Sequence, residues 1–252
     1  MNVAPMKAHQ RLIREQLAET GAASELFGAW WNEIDCSIQK ASVDEISSDQ
    51  AAKIILTYEW LGTMPQAVTR CFGLFHDGIL SGALVFAMKP GANLVSDKTS
   101  IVPADALYLA RGACAHWAHP HAASFLIASV ARRFLARPSC TILAYADPLA
   151  GEIGTIYQAC GWYYLGPSKG GPHAFRIDGK LINVRSFNRD RRYKVGQSIE
   201  DVRLAYPRAT SIETVGRKGR YLGVYGDKTF KRQMRERISA AIQPYPKRTV
   251  NP

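Results

Sequence analysis

The sequence contains no long uninterrupted apolar segment, and this absence argues against a membrane-spanning helix. Its first 20 residues also lack the basic-then-apolar order of a secretion signal, because their charges are spread throughout. Internal repeats and low-complexity tracts are absent as well. We therefore expect a soluble, cytoplasmic protein with no membrane partner.

Cysteine is scarce, and the five that occur form no CxxC pair. They are odd in number and lie among apolar residues, as reduced thiols in a protein core do. A disulfide framework is therefore not expected. These cysteines are Cys36, Cys71, Cys114, Cys140 and Cys160.

Excess positive charge is missing from the first 175 residues, which hold 13 Lys and Arg against 14 Asp and Glu. Residues 176–252 hold 19 Lys and Arg against 7 Asp and Glu. Clustered basic residues neutralise phosphates, so this asymmetry favours a nucleic-acid-binding region attached to a neutral catalytic part. The alternative is a solvated basic surface that only aids solubility.

Hydrophobic periodicity predicts an α/β domain followed by a basic extension. We expect a catalytic domain with a helical N-terminal part at 1–165 and a linker at 166–175. A basic DNA-binding extension at 176–252 then packs on that domain. Helices are predicted at 7–20, 24–33, 48–61, 124–135, 152–160 and 227–242. Strands are predicted at 36–41, 71–75, 79–87, 106–114, 140–146, 162–165, 176–184, 211–214 and 221–225.

Two carboxylates follow the predicted strand 140–146, at the edge of the sheet where α/β proteins place their chemistry. Asp147 directly precedes Pro148 and can serve as a proton acceptor or a metal ligand. Glu152 can share either role. The alternative for Asp147 is a helix-capping or turn residue, because Asp-Pro favours turns.

Three histidines lie close together in the sequence, at His116, His119 and His121. His116, His119 and Asp147 can imitate a two-histidine, one-carboxylate iron site. Their spacing matches no standard metal motif, which favours a structural or phosphate-facing role. A further histidine, His76, lies at a predicted hairpin turn and is expected to be exposed.

Basic residues interleaved with aromatic residues are typical of nucleic-acid contacts. Those in the last third of the chain are therefore predicted to contact DNA phosphates. They are Arg189, Arg191, Arg192, Lys194, Arg217, Lys218 and Arg220.

The order of elements, with the short segment from Gly154 through Tyr157 to Gly161-Trp162, resembles the GNAT acyltransferase superfamily. That resemblance implies a central mixed sheet flanked by helices, acetyl-CoA or another acyl-CoA as cofactor, and Tyr157 as a proton donor. It also implies that the start of the long helix binds the CoA pyrophosphate through its N–H groups. Here that segment has histidines where the superfamily has glycines. Its residues are His121, Ala122, Ala123 and Ser124.

Four blocks of sequence together resemble the Mom family of phage DNA-modification proteins. They begin at Leu109, His119, Ala144 and Trp162, and the resemblance covers roughly residues 58–226. It implies an enzyme that converts adenine in double-stranded DNA to an N6-carbamoylmethyl form and so protects the DNA from host restriction. The catalytic residues implied by the resemblance are Asp147, Tyr157, Ser124 and Arg111.

Two other functions remain open at this stage. One is a GNAT acetyltransferase acting on a protein, peptide or RNA amine, and the other is a non-enzymatic DNA-binding module on a decayed acyltransferase fold. The group donor, a requirement for iron, the target sequence and the oligomeric state are also open, with a homodimer among the oligomeric alternatives.

Overall fold

Strands and helices alternate along the chain much as the sequence periodicity predicts. The computed structural model describes residues 9–20, 34–88, 102–168, 173–177, 180–183, 203, 207–214 and 217–248. The strands are β1 (Ser42–Ile46), β2 (Val68–His76), β3 (Ile79–Ala87), β4 (Leu107–Cys114), β5 (Cys140–Ala146), β6 (Tyr163–Pro167), β7 (His173–Ile177), β8 (Lys180–Asn183), β9 (Ala209–Thr214) and β10 (Gly219–Tyr225). The α-helices are α1 (His9–Thr20), α2 (Ser48–Tyr58), α3 (Ala122–Val130), α4 (Thr155–Ala159) and α5 (Lys228–Ile238).

Short turns of other helical types connect or extend these elements. Three are 3₁₀ turns, at Ile38–Lys40, Pro148–Ala150 and Ser239–Ala241. A π-helical turn at Ala131–Leu135 continues directly from α3.

A seven-stranded mixed sheet organises the structure, in the order β1-β2-β3-β4-β5-β10-β6. Only β4 and β5 run parallel to each other, and every other neighbouring pair in this sheet is antiparallel. A second sheet has the order β8-β7-β9. The predicted mixed α/β architecture is thus confirmed.

The late strand β10 lies inside the main sheet, between β5 and β6. It pairs with β5 along its whole length, from Gly219 opposite Ala146 to Tyr225 opposite Cys140. Its Tyr221 and Leu222 are fully buried. The sequence analysis assigned this strand to an extension beyond a linker at 166–175, whereas the structure makes it an internal strand of the sheet.

Helices cover both faces of the sheet. On one face, α3 buries Leu126 and Val130 against Phe72 and Ile142. On the opposite face, α2 packs over the β2–β4 half of the sheet, and α5 packs over Leu143, Leu165 and Leu222. The sheet is therefore the middle of three layers.

A capping box fixes the start of α2. The Gln50 N–H donates to the Ser47 hydroxyl at 3.1 Å, and the Ser47 N–H donates to the Gln50 side chain at 3.0 Å. The helix ends at Tyr58, where Glu59 adopts an extended conformation, and Gly62 has a φ of +52°. The predicted helix is confirmed, and its end places Glu59 beside the sheet.

Two local predictions were wrong. The strand expected at 36–41 contains a 3₁₀ turn at Ile38–Lys40, and the first strand begins at Ser42. His76 is not exposed but fully buried, and its Nδ1 lies 2.7 Å from the hydroxyl of buried Ser81. The Asp77-Gly78 turn forms as predicted, but His76 is the last residue of β2 and points inward. The predicted helix at 24–33 lies outside the described residues. Among the described helices, none is long and apolar enough to cross a bilayer.

Replacing Gly223 in β10 with alanine is expected to destabilise the protein by about 1–3 kcal/mol, because overpacking a core has a cost of this size. A Cβ at this position would lie 2.4 Å from the Trp162 indole. Thermal unfolding measures the effect, expected as a fall of several degrees. Gly219→Ala in the same strand is the matched control, since its nearest neighbour would lie 3.2 Å away. Equal losses for the two variants would contradict the packing described here.

Candidate active site

An opening in the sheet lies where the one parallel pair among the described strands separates. The β4 and β5 strands pair only through Leu107 with Ile142 and Tyr108 with Leu143. Beyond these residues the two strands continue to Cys114 and Ala146 without pairing with each other. Carboxyl ends of strands in an open α/β sheet are where ligands bind, and the candidate catalytic residues gather here.

Asp147 lies directly after β5 and is only 5% exposed. Its Oδ1 accepts a hydrogen bond from the Leu149 N–H at 3.1 Å and so caps the Pro148–Ala150 turn. Its Oδ2 lies 2.5 Å from the ammonium nitrogen of Lys218, which directly precedes β10. Asp147 therefore has the capping role that the sequence left as an alternative, and in addition forms a buried ion pair.

Glu152 is the second carboxylate predicted from the sequence, and it lies against Asp147. The backbone N–H of Asp147 donates to Oε2 of Glu152 at 3.4 Å. Burial raises the pKa of Glu152 to about 7, with smaller contributions from the carboxylates of Glu59 and Asp147. A carboxyl group with such a pKa exchanges protons near neutral pH, as general acid–base chemistry requires.

A second ion pair extends the cluster to the end of α2. The guanidinium Nε of Arg111 lies 3.7 Å from Glu59 Oε2, and both side chains are largely buried. Arg111 also donates to the carbonyls of Thr63 at 3.0 Å and Ala110 at 2.7 Å. Burial raises the pKa of Glu59, and the Arg111 charge opposes that rise. Arg111 is thus fixed in place.

Tyr157 lies on α4 with its ring stacked on Trp162, at 5.1 Å between ring centroids and 19° between planes. Burial raises the pKa of its hydroxyl well above the usual range, and the charges of Glu152 and Glu59 raise it further. The hydroxyl therefore stays protonated at neutral pH, so it can donate a hydrogen bond or a proton. These electrostatic interactions place Tyr157 in the same group as Glu152 and Glu59.

Gly154 permits the close packing that positions α4. It has a φ of +73°, and a Cβ here would lie 2.3 Å from the ring of Tyr221. The Tyr221 hydroxyl donates to the Ile153 carbonyl at 2.5 Å, and the Gln158 amide donates to the same carbonyl at 2.9 Å. Strand β10 thus holds the short helix that carries Tyr157.

The predicted cofactor segment begins α3 but uses several of its own donors. The N–H of Ala122 donates to the His119 carbonyl at 2.8 Å, and the N–H of His121 donates to His119 Nδ1 at 3.1 Å. The Ser124 hydroxyl donates back to the His121 carbonyl at 3.1 Å. Within the described part of the chain, the N–H groups of Ala123 and Ser124 have no acceptor. Two N–H groups at this helix start can therefore still bind a phosphate.

The structure does not assemble the predicted metal ligands. His116 Nδ1 lies 3.3 Å from the Tyr58 hydroxyl, the His119 ring lies beside that of His121, and Asp147 is paired with Lys218. No group of three His, Cys, Asp or Glu side chains able to hold a metal occurs within the described ranges. The described structure therefore does not bring His116, His119 and Asp147 together as a single metal site.

Of the predicted DNA contacts, two are used inside the protein. Lys218 pairs with Asp147, and the Arg220 guanidinium donates to the Leu165 carbonyl at 2.6 Å. Arg217 is exposed. The other four, Arg189, Arg191, Arg192 and Lys194, lie outside the described residues.

Sequence reasoning missed Glu59 and misjudged Lys218. Glu59 follows an amphipathic helix and carries no motif, so only its position beside Arg111 in space reveals it. Lys218 lies in a run of basic residues that were predicted to contact DNA phosphates, and its pairing with Asp147 was not predicted. The signal that could have placed it is the apolar strand that follows it, because a buried strand brings its flanking residues to the sheet edge.

Comparison with known protein families shows which family the chain matches. Residues 40–247 match the Mom protein family. The matched part includes both ion pairs, helices α3 and α4, and strand β10. The chain belongs to the Mom protein family. Membership in this family points to phage DNA modification by an enzyme. A comparison with curated proteins gives no match.

The Lys218→Met substitution is expected to reduce the free energy of unfolding by about 3–5 kcal/mol, because it leaves the Asp147 carboxylate buried without its counter-charge. Adding Asp147→Asn should restore much of this loss, since the asparagine oxygen still caps the turn. Denaturant unfolding measures both variants. Lys40→Met is the control, because its 2.6 Å pair with Asp35 is exposed and should contribute nothing measurable. A Lys218 variant as stable as the control would contradict the buried pair.

Glu152 should make stability pH-dependent in a specific direction. Its folded pKa of about 7 lies above its ordinary value of 4.5, so the folded state binds its proton more tightly than the unfolded state. This contribution, up to about 3 kcal/mol, is complete below pH 4.5 and is lost as the pH rises through 7. Across this pH range, the free energy of unfolding of Glu152→Gln should not show the decline that wild type shows. The control Glu236→Gln, which changes an exposed residue of α5, should keep the decline. An unchanged pH dependence in Glu152→Gln would refute the raised pKa of Glu152.

Proposed function

We propose that this protein converts the exocyclic amine of adenine in double-stranded DNA to an N6-carbamoylmethyl group and so protects phage DNA from host restriction. The proposal is supported by membership in the Mom family together with one observation, a carboxyl group that titrates near neutral pH in the opening between β4 and β5. Replacing a hydrogen of the adenine amine requires a group that accepts its proton, and Glu152 has a suitable pKa.

Asp147 and Glu152 have different roles in this proposal. Asp147 is held by Lys218 and by the Leu149 N–H, so we assign it to positioning the loop that carries Glu152. Glu152 accepts the proton that the adenine amine releases as its nitrogen bonds to the incoming methylene carbon, and the bond between that carbon and its leaving group breaks. Tyr157 remains neutral and donates a hydrogen bond to the substrate or the leaving group.

Base chemistry inside a duplex also requires that the adenine leave its stack. We propose that the opening beyond Tyr108 and Leu143 admits this base. Arg111, fixed by three interactions, then presents a rigid cation beside the pocket. Exposed Arg217 is proposed to contact the DNA backbone near the site.

The arrangement also supports a GNAT-type fold as part of the proposal. A parallel pair of strands that separates, followed by α3 at its carboxyl end, provides the place where an acyl-CoA fits. The N–H groups of Ala123 and Ser124 would hold a phosphate of such a cofactor. Iron has no three-residue site among the described side chains, so no step is assigned to it.

Mass spectrometry of nucleosides from cells that express the chain tests the proposal. Adenine nucleoside should carry a carbamoylmethyl group in place of one amine hydrogen. Glu152→Gln and Tyr157→Phe should lower this product by about 100-fold or more, the size expected for acid–base groups. Tyr163→Phe, on the face of the sheet covered by α5, is the matched control and should retain the product.

Three results would contradict the proposal. Finding only unmodified adenine in cells that contain folded, abundant protein would contradict the proposed reaction. Acetyl transfer to a protein or RNA amine without DNA would instead support the acetyltransferase alternative, and full biological protection by the Glu152 and Tyr157 variants would support a DNA-binding protein without catalysis.

A further inference from the structure

A pocket lined by four arginines lies beside the end of α3, away from the candidate active site. Its volume is about 510 Å³. The residues that line it are Arg70, Arg132, Arg133, Phe134 and Arg137. No acidic side chain is among this described lining, so the pocket presents positive charge to whatever enters it.

Aromatic packing gives this pocket a defined floor. The Phe134 ring lies 5.2 Å from that of Phe72 in β2. The Arg70 guanidinium lies 4.8 Å from the centre of the Phe72 ring, and two hydrogen bonds to Glu45, at 2.9 and 2.8 Å, hold it there. The Arg133 guanidinium lies 5.4 Å from the Phe134 ring. Arginines held against aromatic rings in this way are pre-organised to bind planar or tetrahedral anions.

The other arginines of the pocket lack a counter-charge. Arg132, Arg133 and Arg137 are exposed, and none forms an ion pair with a carboxylate in the described part of the chain. Three neighbouring guanidinium groups repel one another, and a bound anion relieves that repulsion. Phosphate oxygens suit guanidinium groups because both nitrogens of the fork can donate to them.

Local backbone structure concentrates these arginines. The π-helical turn Ala131–Leu135 carries two of them, and the Ala136 N–H donates across it to the Ala131 carbonyl at 2.8 Å. Such turns occur frequently at functional sites. The cluster lies within the part of the sequence whose summed charge is nearly zero, so the overall charge count hides it.

The basic surface continues beyond the pocket, which favours a polymer over a small phosphate. A Cβ at Gly226 would lie 2.7 Å from that of Ser139, so the start of α5 lies beside the turn that carries Arg137. From there α5 exposes a series of basic side chains. They are Lys228, Lys231, Arg232, Arg235 and Arg237.

We propose that the arginine pocket binds backbone phosphates of the DNA substrate at a distance from the modified adenine. This inference rests on the proposed function, since it takes the ligand to be DNA. The pocket lies near the start of β5, whereas Asp147 follows its end, so the two are separated by about 20 Å along the strand. Because one strand of DNA rises about 3.4 Å per nucleotide, the contact lies about six base pairs from the target.

Fluorescence anisotropy with a labelled duplex of about 24 base pairs tests this inference at several salt concentrations. Arg133→Gln with Arg137→Gln should weaken binding about tenfold or more at physiological salt, for any DNA sequence. The slope of the logarithm of the binding constant against that of the salt concentration should fall by about 0.9 for each lost phosphate contact. Shortening the duplex to fewer than about six base pairs on the relevant side should abolish the difference between variant and wild type.

Two controls separate charge from folding. Arg133→Lys with Arg137→Lys keeps both charges and should retain most of the salt dependence. Arg11→Gln removes an exposed arginine on α1, far from this pocket in the sequence, and should leave binding unchanged. Circular dichroism establishes that each variant is folded before its binding is compared.

Unchanged affinity and salt slope in the folded double glutamine variant would overturn the inference. The same holds if inorganic pyrophosphate binds the wild-type pocket while the double variant loses only that binding and keeps its affinity for DNA. Because the assay measures binding to unmodified DNA, a failure of the adenine reaction does not affect it. If cells contain modified adenine but the double glutamine variant binds DNA as wild type does, the role of the pocket is refuted and the proposed reaction is not.

Discussion

The buried ion pair between Asp147 and Lys218 is the interaction on which the rest of the site depends. It joins the end of β5 to the residue before β10, at a place where neither charge is well solvated. An isolated charge here would be expensive, so each residue requires the other. The Asp147 side chain also caps the turn that leads to Glu152, and the backbone N–H of Asp147 donates to the Glu152 carboxylate. The position of Glu152 therefore depends on a contact between distant parts of the chain, whereas burial is the main cause of its raised pKa.

Strand β10 provides more than one partner to this site. Lys218 precedes it, Tyr221 packs against Gly154 and supports α4, and Tyr225 accepts a hydrogen bond from the Trp162 indole at 2.8 Å. Trp162 in turn stacks on Tyr157. A strand late in the sequence thus orders the helix that carries the tyrosine, which explains why the site cannot form from the residues before 166 alone.

Much of this architecture follows from local sequence signals, whereas the electrostatic partners do not. The helix start at Ser48-Asp49, the Asp77-Gly78 turn and the apolar run of β5 predict their elements because each depends on neighbouring residues. The placement of β10 depends on its insertion between β5 and β6, and no local pattern specifies that. The pairing of Lys218 with Asp147 was therefore not predicted. The summed charge of the first 175 residues is also nearly zero, yet the fold gathers four arginines at one place in it.

These interactions lead to one account of the chemistry: a carboxyl group near neutral pKa, positioned by a buried ion pair, accepts a proton from a DNA base in an opening of the sheet. The pH dependence of adenine modification, measured on duplex DNA with wild type and Glu152→Gln, tests this claim most directly. The account expects the wild-type rate to rise with pH through about 7, where the Glu152 carboxyl loses its proton, and the variant to be slow and lack that rise. The same rise near pH 7 in both proteins would contradict it.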